Sequence, residues 1–190
     1  MTVEEIFSGL NAHMIKGMMI HEHLANYYDF LGLKGYKRCH EYHYLDESIN
    51  HRKLNRYYIN HFNKLIPESK IDDPDVIPDG WYRYTRQDVD SNTKRNAVKT
   101  GLEKWVMWER ETKKLYERMY KELMDIDEVA AAMFVKGMIC DVDCELKKAE
   151  RYHLNKIATA YDIVDIIEEQ KSKHDKYKKM MEKIGECYEH

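Results

Sequence analysis

The stretch Tyr36-Lys-Arg-Cys-His40-Glu-Tyr-His43-Tyr-Leu-Asp-Glu47-Ser-Ile-Asn50-His51-Arg-Lys-Leu54 decides how the chain reads. Turning each residue by about 100°, as an α-helix does, puts Tyr36, His40, His43, Glu47, Leu54, Tyr58, His61 and Leu65 on one stripe. Arg38, Arg52, Arg56, Asn60 and Asn63 fall on the other side. The apolar stripe of such a helix faces the core, so Glu47 points inward. His43 stands one turn before it, and Asn50 and His51 about one turn after. A buried carboxylate costs several kcal/mol unless it is paired, protonated or bound to a metal.

The neighbouring segments have the same periodicity. Residues 3–31 carry Val3, Ile6, Leu10, Met14, Gly17, His21, Leu24, Tyr28 and Leu31 along one face, and Thr2 and Glu5 have capping-box spacing. Gly32-Leu-Lys-Gly35 breaks that pattern before a second helix over about 36–65. So short a link forces the two helices into an antiparallel hairpin. Ile66 to Asp90 holds all three prolines and no periodicity, which suits a crossover running the length of a bundle, with Trp81, Tyr82 and Tyr84 to pin it. A third helix is predicted from Ser91 to Met124 with Ser91 or Asp90 as cap, and a fourth from Glu128 to about Glu168 capped by Asp127. The expected fold is therefore all-α, an up-down four-helix bundle over 1–168 with a long crossover between helices 2 and 3. The lysine-rich segment 169–190 is expected as a mostly solvated fifth helix or frayed tail.

Composition narrows the function classes. The 190 residues include 31 Lys+Arg against 34 Asp+Glu, a net charge of −3, which opposes nucleic-acid or membrane-surface binding. Only 8 Gly and 3 Pro favour long helices. Phosphate-cradling glycine loops, a nucleophile elbow and zinc-knuckle spacing are absent. Residues 1–30 lack a signal-peptide pattern, no run approaches the roughly 18 apolar residues of a membrane helix, and the four cysteines show no disulfide framework. A cytoplasmic location is expected.

The same rotation places His13 and His21 on the first helix's core face and Glu22 well off it. Glu109 lies inside the third helix's stripe, while Glu145 flanks the fourth helix's stripe and His153 sits near its middle. A hairpin centred on residues 33–34 levels His21 with Glu47, and one centred near 126 brings Glu109 within about two residues of Glu145. Glu47 lies about 13 positions from its turn and Glu109 about 17, which sum to a helix length when the turns sit at opposite ends. His21, Glu47, Glu109 and Glu145 thus share one layer, with His43 and His51 within a turn. Facing-helix carboxylates and imidazoles in one layer are how bundles build dinuclear metal sites.

Two hairpins, a long crossover and inward glutamates resemble the ferritin-like superfamily of diiron and dimanganese carboxylate proteins, over roughly residues 3–167. The run Trp108-Glu-Arg-Glu-Thr-Lys-Lys-Leu-Tyr-Glu117 is similar to that superfamily's third-helix pattern. The resemblance implies a dinuclear iron or manganese centre held by Glu47, Glu109 and Glu145 with His43, His51 and His21. It also implies oxygen or peroxide activation on an unidentified small-molecule substrate. This chain departs from the superfamily's Glu-x-x-His at Glu47-Ser-Ile-Asn50 and Glu145-Leu-Lys-Lys148, and its true Glu-x-x-His, Glu150-Arg-Tyr-His153, turns away from the layer. Glu22 and the Glu150/His153 pair are the substitutes to weigh.

A different role competes with metal chemistry: a non-catalytic bundle for assembly or interaction, whose buried polar layer only fixes helix register. Ile15, Met19 and Phe30 form a second apolar face on the first helix, which suits a homo-oligomer.

Overall fold

The computed structural model describes residues 1–72, 74, 76–77 and 83–188. Five helices follow one another: α1 (Val3–Phe30), α2 (Lys34–Phe62), α3 (Ser91–Asp125), α4 (Val129–Ala158) and α5 (Ile163–Tyr188), with a 3-10 turn at Arg86–Asp88 in the crossover. No strand occurs among the described residues, and no helix there is long and apolar enough to cross a membrane.

The helix ends follow from local chemistry. The Glu5 amide donates to the Thr2 hydroxyl (3.2 Å) while the Thr2 amide donates to the Glu5 carboxylate (2.8 Å), so the capping box forms as its spacing predicts. Gly32, at φ +72°, turns the chain between α1 and α2. α2 stops at Phe62, three residues short of the expected Leu65. Asn63 takes the left-handed conformation (φ 52°) and its amide caps Ile59 O at 2.9 Å, a role asparagine tolerates. Asp90 caps α3 by accepting from the Thr93 amide at 2.7 Å.

α1 packs on α2, α3 on α4, and α1 on α3, so two antiparallel hairpins stand side by side. One core cluster gathers Leu24, Tyr28, Leu102 and Trp105, and the other Ile6, Leu10, Leu54, Leu123 and Val135. Between them, at the level of Gly17 and Glu47, the interior turns polar. The crossover is fastened by buried Val76 and by the Ser8 hydroxyl, which donates to Pro67 O at 3.0 Å. Of the aromatic residues expected to pin it, Tyr84 is half exposed, and Trp81 and Tyr82 lie outside the described residues.

The end of the chain differs from its sequence pattern. The expected single helix to Glu168 breaks at Thr159, where Ala160 (φ 50°) and Tyr161 (φ 53°) turn left-handed with no glycine or proline to announce it. Asp162 then caps α5 by accepting from the amides of Val164 (2.9 Å) and Asp165 (3.2 Å). Asp127 (φ 61°) is likewise a turn residue, and Glu128 takes the cap position of α4.

α5 folds back along α2 and touches α3 with one face buried, Ile166 and Tyr177 wholly so, while Lys171, Lys176, Lys178 and Lys179 stay exposed. Lysines that read as surface charge hold it down. Buried Lys156 ion-pairs with Asp165 (2.6 Å) and Glu169. Glu169 also receives Lys173 Nζ (3.2 Å) and the Tyr36 hydroxyl (3.0 Å), and Lys173 Nζ lies 3.6 Å above the Tyr152 ring. Each buried ammonium is thus compensated by charge or ring face, which burial demands.

Candidate functional site

Below the stretch covered by α5, α2 and α4 stand apart and a cavity of about 650 Å³ opens between them, with α1 and α3 behind. α2 contributes Tyr42, His43, Asp46, Glu47 and Asn50, and α4 contributes Asp141 and Glu145. Glu109 comes from α3, and α1 supplies His21 and Met14. Five of the six residues singled out from the sequence therefore line one space: Glu47, Glu109, Glu145, His43 and His21. His51 does not join them. Its ring faces α1, with Nε2 2.8 Å from Asn11 Oδ1, and Asn55 brackets it.

Glu47 and Glu109 are the electrostatically costly pair. Burial pushes the Glu47 carboxyl up to about 8, and the charges of Glu109, Asp46 and Glu145 add to the rise. Burial raises Glu109 to about 7, against which the Trp105 indole N–H, donating to Oε1 at 2.9 Å, works only partly. Neither carboxylate has a lysine or arginine ion-pair partner among the described residues. Opposite Glu47, α1 carries Gly17, where an added Cβ would stand 3.4 Å from the Glu47 carboxyl carbon. α1 thus offers no carboxylate at this level.

The upper end is already bonded. Lys148 Nζ donates to Glu145 Oε2 (3.1 Å) and approaches His43 Nε2 (3.4 Å). An ammonium only donates, so His43 Nε2 is the bare nitrogen and Nδ1–H faces Glu145 Oε2, 3.7 Å away. Burial holds His43 well below the usual histidine range, with Lys148 adding to the effect, so this imidazole is neutral. His21 is pushed down to about 3 by burial, and its Nδ1 shares a hydrogen bond with His40 Nδ1 at 3.0 Å.

The other candidates lie elsewhere. Glu22 is exposed and takes the Asn26 amide, while Glu150 pairs with Arg110 at 2.7 Å, so Glu150-x-x-His153 serves the α3–α4 surface. His13 is a bonded core residue: it stacks on Trp108 at 4.2 Å, and because Thr112 donates to Trp108 O, His13 Nε2 donates to the Thr112 hydroxyl at 2.8 Å. Asp46, Asp141 and Lys148 were missed as site residues. Asp46 lies beside Glu47 in sequence, off the stripe centre, and reaches the cavity because the parting of α2 from α4 widens the inward face.

The oxygen-rich donor set suits a hard divalent cation. Among the described residues, however, no group of three His, Cys, Asp or Glu side chains is placed to hold one, so the donors would have to converge on it.

No protein-family model and no curated protein sequence matches the chain. Solved structures do. The chain is similar to a closed form of the Archaeoglobus fulgidus ferritin engineered by site-directed mutagenesis, with a TM-score of 0.76 at 13% identity over 92% of this chain and 96% of that one. The open-pore ferritin of the same archaeon aligns with a TM-score of 0.74 at 14% identity over 90% and 93% of the two chains. A humanized archaeal ferritin aligns with 0.73 at 15% identity over 92% and 98%. At such identities the likeness speaks for the backbone alone, and it agrees with the two hairpins: the chain has the ferritin-like all-α fold.

Proposed function

We propose that the chain binds iron in a ferritin-like bundle, with Glu47 and Glu109 as the central ligands and Glu145 at their edge. The observation that carries this reading is the pair of inward carboxylates that meet in one cavity from α2 and α3, lifted by burial to about 8 and about 7 with no lysine or arginine ion-pair partner among the described residues. A divalent ion would compensate their charge, and neutral His43 would add a nitrogen donor once Lys148 left its Nε2. Bound iron would supply one-electron chemistry toward oxygen or peroxide. The chain's own part is to hold carboxylates in a partly dry slot and keep His21 and His43 unprotonated. A homo-oligomeric habit and a reducing compartment accompany the proposal. The free thiols Cys39, Cys140 and Cys144 suit the latter.

The test is anaerobic titration of metal-free protein with Fe(II), followed by elemental analysis after desalting. Stoichiometric iron in the native chain, and at least tenfold weaker binding in Glu47→Ala, are the expected results. Equal iron in both proteins removes Glu47 as a ligand. One feature favours the assembly role instead: Lys148 already neutralises Glu145. In that case neither protein retains iron, and Glu47→Leu folds at least as well as the native chain.

A further inference from the structure

A metal centre leaves most of the cavity unexplained. Two ions with a shell of about six waters need roughly 200 Å³, taking about 30 Å³ per water, against the 650 Å³ present. That larger volume is the size of a small-molecule pocket. Its two ends also differ in chemistry. The register of α2 against α4 is set by His43 facing Glu145 (3.7 Å) and Tyr57 stacked on Phe134 (4.1 Å). Eleven residues of α4 separate those levels, a length of about 16 Å. Toward the upper level lie Asp46, Glu47, Glu109 and Asp141, and toward the lower one Met14, Met133, Phe134 and Met138. Asn50, Lys53, Thr112 and Tyr116 also line the lower half, but among the described residues it carries no carboxylate or imidazole for a metal ion. Methionines and a phenylalanine do suit a flexible hydrocarbon.

Glu109 is almost wholly buried and faces this space, and among the described residues its one hydrogen bond is from Trp105, to Oε1. Glu47 makes no hydrogen bond among the described residues. Two under-satisfied carboxylates above an apolar trough are complementary to one kind of small molecule.

We infer that the cavity between α2 and α4 binds an amphiphilic organic cation, an ammonium group on an apolar body, with the ammonium between Glu47 and Glu109 and the body along Met138 and Phe134. This rests on Glu47 and Glu109 being a cation-seeking pair and does not require that the cation they meet in the first place be a metal. A neutral alcohol lacks the charge they call for. A carboxylic acid would add a further carboxyl group to those already at the upper end.

The test is calorimetric titration and thermal melting of the full chain in chelator at pH 7.5, with octylamine, octanol and octanoate as probes. Octylamine is expected to bind and raise the melting temperature. Octanol and octanoate are expected to do neither. Glu47→Gln is expected to weaken octylamine at least tenfold, and Met138→Trp, which fills the apolar end, to abolish octylamine binding while iron uptake continues. Octanol matching octylamine, octylamine unaffected by both substitutions, or no octylamine binding at all overturns the inference. Iron uptake is measured separately without chelator, so a chain that binds octylamine but no iron sinks the metal reading alone, and the converse sinks only this one.

Discussion

Metal-free protein is expected to be most stable near pH 6.5 and to lose stability on both sides of it. Glu47 and Glu109 hold protons in the folded state, at about 8 and about 7, that the unfolded chain releases near 4.5. A raised folded value means the folded state binds the extra proton, so this contribution is complete below 4.5 and is lost as the pH climbs to 8. Between pH 6.5 and 8 the loss is about 2 kcal/mol for Glu47 and about 0.7 for Glu109, at about 1.4 kcal/mol per pH unit. The histidines act in the opposite sense. His13 is pushed down to about 4 and His21 to about 3, and His40 and His43 lie well below their ordinary 6.5, all chiefly by burial. A depressed folded value means the unfolded chain takes the proton first, so stability present above 6.5 drains away below it. His13 and His21 alone roughly offset the two carboxyls below pH 6.5, and His40 and His43 then tip the balance toward loss of stability in acid. Urea midpoints from pH 4.5 to 9 measure it directly. The alkaline limb should flatten in Glu47→Gln and on adding a bound divalent cation, and the acid limb should stay in both. A native protein that gains stability steadily up to pH 9 rules out the buried carboxyl pair.

Much of this architecture was legible because it depends on local pattern. The stripe through Tyr36, His43, Glu47 and Leu54 carries its own direction, and counting residues from the turn at Gly32 was enough to level Glu47 with Glu109 and Glu145. His51 failed because one residue of helix is about 100° of rotation, and that difference turns it to Asn11 on α1. The break at Ala160 and Tyr161 was illegible for another reason. Left-handed turns usually advertise themselves with glycine, and here the cost is met by the tertiary contacts that α5 then makes. Those contacts are themselves hidden in composition. In the run Lys171, Lys173, Lys176, Lys178 and Lys179 four lysines are exposed as their composition suggests, and it takes the fold to show that Glu169, Tyr36 and Tyr152 come together around buried Lys173. Lys148 illustrates the same limit: only the fold shows that a lysine one turn from Glu145 on α4 is drawn into the cavity's polar end.

How tightly α5 is held gives the other large expected effect. In an ordinary exposed helix interior, Gly→Ala stabilises by about 0.5–1 kcal/mol, because alanine loses less backbone freedom. Gly35 should behave in the opposite way. It lies in the first turn of α2, and a Cβ there would come within 2.6 Å of the carbonyl carbon and Cα of Gln170 in α5, and nearer still to the carbonyl oxygen. Backbone cannot rotate aside as a side chain can, so α5 must shift as a body. That shift pulls on the Tyr36–Glu169 hydrogen bond, the Lys156 and Lys173 pairs with Glu169, and buried Tyr177 packed on Tyr42 and His43. Overpacking a well-filled site costs about 1–3 kcal/mol, and breaking a buried ion pair adds to it, so Gly35→Ala should destabilise by at least about 3 kcal/mol. The control is Gly9→Ala in α1, whose Cβ would meet only Met119 Cε at 3.5 Å, an ordinary contact. Chemical denaturation of the two variants gives the comparison, and limited proteolysis within 163–188 reports whether α5 has lifted. Since Tyr177 packs against His43 at the head of the cavity, release of α5 should also loosen the polar end where Lys148 meets Glu145. Gly35→Ala as stable as Gly9→Ala, with α5 equally resistant to protease, would mean that the close α2–α5 approach is not what seats the fifth helix.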